Sequence, residues 1–376
     1  MSDKIKVLHI VGDPVGGIRK HIHDILHGLS EEFELFYVSS RNGDAVFYDE
    51  IEDLMMNINQ YKSLHIPKRP SIYDLINLVR ICYFVRKNGI DVIHGHGSKG
   101  GLYCRLVGRV AGCKTVYTPH GGVVHSMFGR VESILYRWVE RFLCMFTDLF
   151  IFESNYTANT FDEKFACKET HSRLVNYNGI DLSVVLPVKL INYNNSTPKK
   201  LGVFGVMRSE KGQDIAYQVV KDLILTGRKL ELHFFGEGPL REILYRQAII
   251  DKVDSHFFFH GEVNDVYSYM RKMDFVLIPS RFESFGYVAV EAGLSGVPVI
   301  SSNVGGLKEV LSETYSFLFD VSDRKNIGEI ILCALEETPE SLFRRAVCFR
   351  EELNRFSLDK MLSVLAFNYS NLLNKS

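Results

Sequence analysis

The sequence predicts two α/β domains, each a doubly wound parallel sheet covered by helices, and three observations predict it. Short apolar runs alternate with longer helical patterns along the whole chain. That rhythm is interrupted once, by a polar, Asn-rich stretch near the middle, and then restarts. The length of 376 residues also exceeds what one core normally fills.

In the first half the apolar runs at 7–11, 35–39, 91–94, 114–118, 149–152 and 173–176 read as buried strands. Helical patterns lie between them at 18–29, 71–87, 100–110 and 127–146; in the first, Ile18, Ile22, Ile25, Leu26 and Leu29 mark one face. Strand, crossover helix and strand, repeated, give a parallel sheet with ligands at the strands' carboxyl ends. Residues 189–200 (KLINYNNSTPKK) read as a linker between a first domain at 1–188 and a second at 201–355. In the second domain strands are expected at 201–206, 230–235, 256–259, 275–278, 297–301 and 317–319. Helices are expected at 213–225, 240–249, 288–294, 308–311 and 324–335, and a last one within 356–376.

Charge and cysteine content narrow the function classes. Lys and Arg total 44 against 45 Asp and Glu, a net charge of −1, which argues against bulk electrostatic binding of nucleic acid. The 7 cysteines form no CxxC pair and are odd in number, so structural zinc and a disulfide framework are not expected and reduced thiols are. No run of about 18 apolar residues exists to span a bilayer, and the first apolar run is too short for a signal-peptide core. A cytoplasmic protein is expected.

Six segments carry residues suited to chemistry, each at the end of a predicted strand. The sharpest is Pro279-Ser-Arg-Phe-Glu-Ser-Phe-Gly-Tyr-Val-Ala-Val-Glu-Ala-Gly. Glu291 follows Glu283 by 8 residues, which on a helix separates the carboxylates by roughly 10 Å or more along the axis. That is too far for the ~5–5.5 Å pair of a retaining glycosidase. An anion at the helix N-terminus, with the two acids contacting hydroxyls, fits better; the plain alternative is a turn with solvated acids. In Gly205-Val-Met-Arg-Ser-Glu-Lys-Gly212, Arg208 and Lys211 suit a phosphate, one as a two-donor fork and one as a point charge. Two solvated loop charges are the alternative. The segment GEGPLR at 236–241 has Arg241 where a dinucleotide fingerprint needs its third glycine, so it speaks weakly for NAD.

In the first half, Gly12-Asp-Pro-Val-Gly-Gly17 matches neither the Walker pattern nor GxGxxG; Gly16 and Gly17 permit close approach of a ligand to backbone amides, or make a simple tight turn. His120 lies in Thr118-Pro-His-Gly-Gly122, and HGHGSKG holds His94, His96, Ser98 and Lys99. Two histidines at i, i+2 raise the question of a metal, but no nearby carboxylate completes a site, and none is expected. No DxD pair occurs either, so a bound nucleotide diphosphate must be neutralised by protein cations. The stretch 128–146 sets Arg130, Arg137 and Arg141 beside Leu135, Trp138, Val139 and Phe142. With Arg86, Lys87, Lys99, Arg105, Arg109 and Lys114 it makes a basic region suited to anionic lipid, or an ordinary packed helix with solvated charges.

Taken in order, the Gly16-Gly17 loop, TPHG, Asn178-Gly-Ile-Asp181, RSEKG, GEGPLR, His260-Gly261-Glu-Val and ESFGYVAVEAGLSGVPVI resemble the retaining glycosyltransferases of family 4, which have the GT-B fold. The likeness runs over nearly the whole chain. It implies two Rossmann-like domains facing across a cleft, with the tail helix at 356–376 crossing back onto the first. It implies that Arg208 and Lys211 bind the donor diphosphate and that Glu283 contacts sugar hydroxyls, with Ser284, Phe285 and Gly286 beside the phosphates. Glu291 would hold the ribose, Gly16 and Gly17 would meet the diphosphate, and His120 would sit near the sugar and acceptor. The implied activity is metal- and cofactor-independent transfer of a hexose or N-acetylhexosamine from a nucleotide sugar, UDP rather than GDP. The acceptor would be a glycan or polyprenyl-diphosphate-linked lipid in surface polysaccharide synthesis, with peripheral attachment to an anionic membrane face. A nucleotide-sugar epimerase and a catalytically silent nucleotide-sugar-binding protein are the competing readings, and an NAD oxidoreductase a distant third.

Overall fold

The computed structural model describes residues 4–41, 45–121, 130–165, 172–184, 186–188 and 197–374. The chain divides into two compact units, one formed by Met1–Gly179 with Leu358–Ser376 and the other by Ile180–Ser357.

The first unit is a parallel sheet of seven strands with helices on both faces. In chain order it comprises β1 (Lys6–Val11), α1 (Gly16–Gly28), β2 (Glu34–Ser40), α2 (Ala45–Asn57), β3 (Gln60–Leu64) and α3 (Ile72–Asn88). Then follow β4 (Val92–His96), α4 (Gly97–Ala111), β5 (Lys114–Thr118), α5 (Arg130–Cys144), β6 (Leu149–Phe152), α6 (Asn155–Phe165) and β7 (Ser172–Val175). Strand order is β3-β2-β1-β4-β5-β6-β7. The chain therefore winds outward from β1, then restarts beside it at β4, and the switch point lies between β1 and β4. Right-handed crossovers then place α1 and α2 on one face and α3 to α6 on the other. The cores agree: Ile22, Ile25 and Leu26 pack with Val7 and Leu35 on one side, Ile81, Phe84 and Tyr103 with Leu8 and Ile93 on the other.

The second unit repeats the plan with six parallel strands. It contains β8 (Lys199–Phe204), α7 (Gln213–Leu225), β9 (Leu230–Phe235), α8 (Leu240–Ile250), β10 (Phe257–Phe259), α9 (Val266–Met270) and β11 (Phe275–Ile278). It continues through α10 (Tyr287–Ser295), β12 (Val299–Ser302), α11 (Leu307–Val310), β13 (Ser316–Phe319), α12 (Arg324–Glu336) and α13 (Pro339–Glu352). The order β10-β9-β8-β11-β12-β13 sets its switch point between β8 and β11. The tail helix α14 (Leu358–Asn374) belongs to the first unit, where Met361, Leu365 and Tyr369 join the core under α1.

Twelve of these strands coincide with or overlap the apolar runs, as expected of parallel strands buried on both faces. The edge strand β3 was not expected, because QYKSL is polar and half-exposed and carries no apolar run. Also unexpected are α2, α6, α9 and α13, the last despite a clear start signal, Thr338 as N-cap followed by Pro339. The expected linker lies mostly outside the described residues, and its last two residues, Lys199 and Lys200, open β8. One cysteine expectation needs correction: Cys144 is disulfide-bonded, whereas Cys82, Cys104, Cys113, Cys333 and Cys348 are free and Cys167 lies outside the described residues. Sequence spacing alone does not report which cysteines the fold brings together.

Candidate active site

Two loops meet at the switch point of the second unit, one leaving β8 and one leaving β11. Their meeting is enforced at Gly212. It has φ +70°, and a Cβ there would lie 1.9 Å from the Pro279 carbonyl oxygen, so only glycine fits. Arg281 staples the loops together. Its backbone N–H donates to the Glu210 carbonyl at 2.8 Å, and its guanidinium grips both carboxylate oxygens of Asp214 at 2.7 Å. Burial pushes the Asp214 carboxyl up, but the hydrogen bonds from Arg281 outweigh it and hold the group below the usual range.

On this frame Lys211 Nζ donates to Glu283 Oε2 at 2.6 Å, and Ser280 Oγ stands 3.5 Å from the same oxygen. Two residues expected in the site are thus brought into one ion pair, whose members are only partly exposed. Arg208 lies on the same loop, with extended backbone and an exposed side chain. Past Glu283 the chain runs through Ser284 and the buried Phe285 to Gly286, the N-cap of α10. Gly286 has φ +112°, and a Cβ there would meet Leu307 at 2.6 Å. Glu291 sits half-buried one turn inside α10. The GEGPLR segment packs its backbone on the loop after β8, with Met207 N–H donating to Glu237 O at 2.8 Å and Leu240 N–H to Met207 O at 3.1 Å.

In the first unit the corresponding switch-point loops leave β1 and β4. Gly16 opens α1 after Val15 as N-cap, and Gly17 is exposed on its first turn. Lys99, expected in a polar loop of the basic region, is paired with Asp74 at 2.7 Å. His120 is buried, with φ +50°, and both its ring nitrogens are occupied: Nδ1 lies 3.0 Å from Glu153 Oε2 and Nε2 3.0 Å from His96 Nδ1. Gly122 lies outside the described residues. The row continues, since His96 Nε2 stands 3.0 Å from His9 Nδ1, and Asn178 Nδ2 donates to Glu153 Oε2 at 3.2 Å. His94 is held separately, by Tyr369 Oη at 2.7 Å and Thr118 Oγ1 at 2.9 Å. Sequence reading missed Glu153, His9 and His21; the one available signal was that Glu153 directly follows a strand.

The basic region also changes. Arg105 is fully buried and neutralised by Glu140, with Nη1 2.5 Å from Oε1 and Nη2 3.1 Å from Oε2, and it stacks on the Tyr117 ring at 4.0 Å. It adds no surface charge. Arg86, Arg109, Arg137 and Arg141 are exposed; the side chain of Arg130 is outside the described residues. Beside them α3 exposes Ile72, Leu75, Val79 and Tyr83 at 60–71%, and α5 exposes Leu135, Trp138 and Phe142 at 52–67%. Among the described residues no helix is long and apolar enough to cross a membrane.

Two family models match the chain: Glycosyltransferase Family 4 over residues 15–184 and Glycosyl transferases group 1 over residues 191–346. An uncharacterized glycosyltransferase of Methanocaldococcus jannaschii is 28% identical over 83% of this chain and 82% of its own length. The Escherichia coli UDP-Gal:alpha-D-GlcNAc-diphosphoundecaprenol alpha-1,3-galactosyltransferase is 23% identical over 85% of each chain. Among solved structures, Anabaena HepE in complex with UDP and glucose superposes with a TM-score of 0.80 at 18% identity, covering 97% of this chain and 99% of that one.

Proposed function

Because the chain belongs to the family 4 glycosyltransferases of the GT-B fold, we propose that it transfers a hexose or N-acetylhexosamine from a UDP-sugar, with retention, to a glycan or polyprenyl-diphosphate-linked acceptor in surface polysaccharide synthesis. The observation that carries this reading is the Lys211–Glu283 pair at the switch point of the second sheet. A cation for the diphosphate and a carboxylate for the sugar hydroxyls stand side by side there, where a parallel sheet receives its ligand.

Breaking the anomeric C–O bond leaves negative charge on the diphosphate and positive character on the sugar ring. Arg208 and Lys211 stabilise the departing charge, together with the amides of Ser284, Phe285 and Gly286 at the start of α10, and Glu291 holds the ribose. Preorganised charges and dipoles of this kind contribute more than any other single effect to many enzymatic rate enhancements, and here they act without a divalent ion at the diphosphate. Gly16 and Gly17 offer further amides at the start of α1. With no nucleophile assigned, the acceptor attacks on the face the leaving group departs from, which retains the configuration. His120 orients near the sugar through the bonds to Glu153 and His96. The choice of UDP and of a lipid-linked acceptor draws on the names of the E. coli relative and the Anabaena neighbour. The exposed Trp138, Leu135 and Phe142 flanked by Arg137 and Arg141 support seating on the cytoplasmic face of an anionic membrane.

The test is purified protein incubated with UDP- and GDP-sugars, with and without a polyprenyl-diphosphate-sugar acceptor, and product analysis by NMR. An α-linked product from an α-donor, formed only with acceptor, is expected. Conversion of donor alone to another sugar establishes an epimerase instead, and binding without turnover across the panel establishes a silent protein. Flotation with anionic liposomes at low salt tests the membrane face, and failure to float removes it.

A further inference from the structure

We propose that His21, His96 and His120 form a binding site for one divalent transition-metal ion, zinc in the first instance, inside the first unit. Each offers a ring nitrogen, and these atoms lie within 4.8 Å of one another. The ring centroids are 5.0 Å apart for His21 and His120, 5.3 Å for His96 and His120, and 5.8 Å for His21 and His96. Three imidazoles on a tetrahedral zinc at about 2.1 Å from each nitrogen would hold their centroids roughly 5–5.5 Å apart. The two spacings to His120 already match a coordinated set, and His21 and His96 stand slightly farther apart.

The surroundings select these three. His120 gives Nδ1 to Glu153 at 3.0 Å, which leaves Nε2 as the lone pair, and Asn178 pins Glu153 from behind. A carboxylate behind a ligating imidazole is the arrangement that fixes metal ligands. His96 is oriented from its far side by His9. His21 Nδ1 is buried with no hydrogen-bond partner. The other three-histidine set, His9, His94 and His96, is poorer, because both nitrogens of His94 are engaged by groups outside the set, Tyr369 and Thr118, whereas His96 Nδ1 and His120 Nε2 engage only each other.

Binding balances without loss of a proton. The proton on His96 Nδ1 passes to Nε2, which then donates to His9 Nδ1, and the His9 proton passes to its own Nε2; every imidazole stays neutral. Three protein ligands leave a fourth position for water or another small ligand. An all-imidazole set favours zinc, copper or nickel over magnesium or calcium. The phosphate loops of the second unit play no part in this assignment; it shares His120 with the proposed sugar site, and a bound ion would take the place of the His96–His120 bond in holding that ring.

The experiment uses full-length, tag-free protein stripped with chelator and titrated with Zn²⁺ by calorimetry and with Co²⁺ by visible absorption. One ion per chain with an intense tetrahedral Co²⁺ spectrum is expected, and Zn²⁺ should raise the Tm. His21 lies outside the hydrogen-bonded row, so His21→Ala should fold by circular dichroism yet lose the spectrum. Glu153→Gln should weaken binding by about 10- to 100-fold. Absence of saturable binding overturns the proposal. So does a spectrum that survives in His21→Ala, or one that vanishes in His23→Ala/His27→Ala, a pair four residues apart on the same helix.

Discussion

Lys211 and Glu283, 72 residues apart in sequence, share an ion pair of 2.6 Å at the carboxyl ends of β8 and β11. Partly exposed pairs of this kind contribute on the order of 0–1 kcal/mol to stability, so a role in the proposed transfer predicts a loss of turnover without a loss of fold. We expect Lys211→Met to lower kcat/KM by about 10²-fold or more, a loss of about 2.7 kcal/mol or more in the transition state, while Tm stays near that of the parent. Steady-state kinetics beside a thermal melt check this; a large fall in Tm with intact turnover would assign the pair to folding.

Gly286 carries a second prediction. Its φ of +112°, and the 2.6 Å that would separate an added Cβ from Leu307, leave no room for a side chain. Gly286→Ala should cost about 1–3 kcal/mol in backbone strain and displace the amides that open α10. Turnover should fall more steeply than stability. A variant with unchanged kcat/KM would remove the start of α10 from donor binding.

The buried Arg105–Glu140 pair joins α4 to α5 and should matter to folding alone. Arg105→Met leaves Glu140 buried without its partner, at a cost of about 3–5 kcal/mol. Adding Glu140→Leu removes the stranded charge, so the double variant should recover most of the lost stability. Urea titrations of the singles and the double test this, and simple additivity would contradict it.

Acid should weaken the first unit before the second. Burial pushes the His9 imidazole down to about 3, and burial with neighbouring imidazoles lowers His21, His94 and His96. Such a group is neutral when folded and takes up a proton on unfolding. Its stabilisation is complete above the unfolded value of about 6.5 and is lost as pH falls toward the folded value, at roughly 1.4 kcal/mol per pH unit for each histidine. Unfolding free energy measured with chelator present should therefore drop by several kcal/mol from pH 7.5 to 5.5. A flat profile would mean that the imidazoles are solvated.

Much of the fold was legible because strands buried on both faces, such as FVLI at β11, appear as unbroken apolar runs, whereas β3 is a polar edge strand with no such signature. The loops proposed to take the diphosphate stood out for a related reason: Arg208, Lys211 and Glu283 lie in the segments that leave two unbroken apolar runs, β8 and β11. The histidine cluster did not. His21 sits mid-helix in α1, Glu153 lies 33 residues beyond His120, and only the β1-β4-β5-β6 pairing brings them together. No carboxylate stands near His94-x-His96 in sequence, and the fold sets Glu153 behind His120 from a different strand end. Arg105 was counted among surface cations because spacing does not reveal that Glu140 lies opposite it.

Calorimetric titration of UDP into the parent protein, Arg208→Ala and Lys211→Ala tests the central assignment most directly. Saturable binding by the parent is predicted, weakened by about tenfold or more in each variant, with fold unchanged by circular dichroism. Equal affinity in all three would place the diphosphate elsewhere and contradict it.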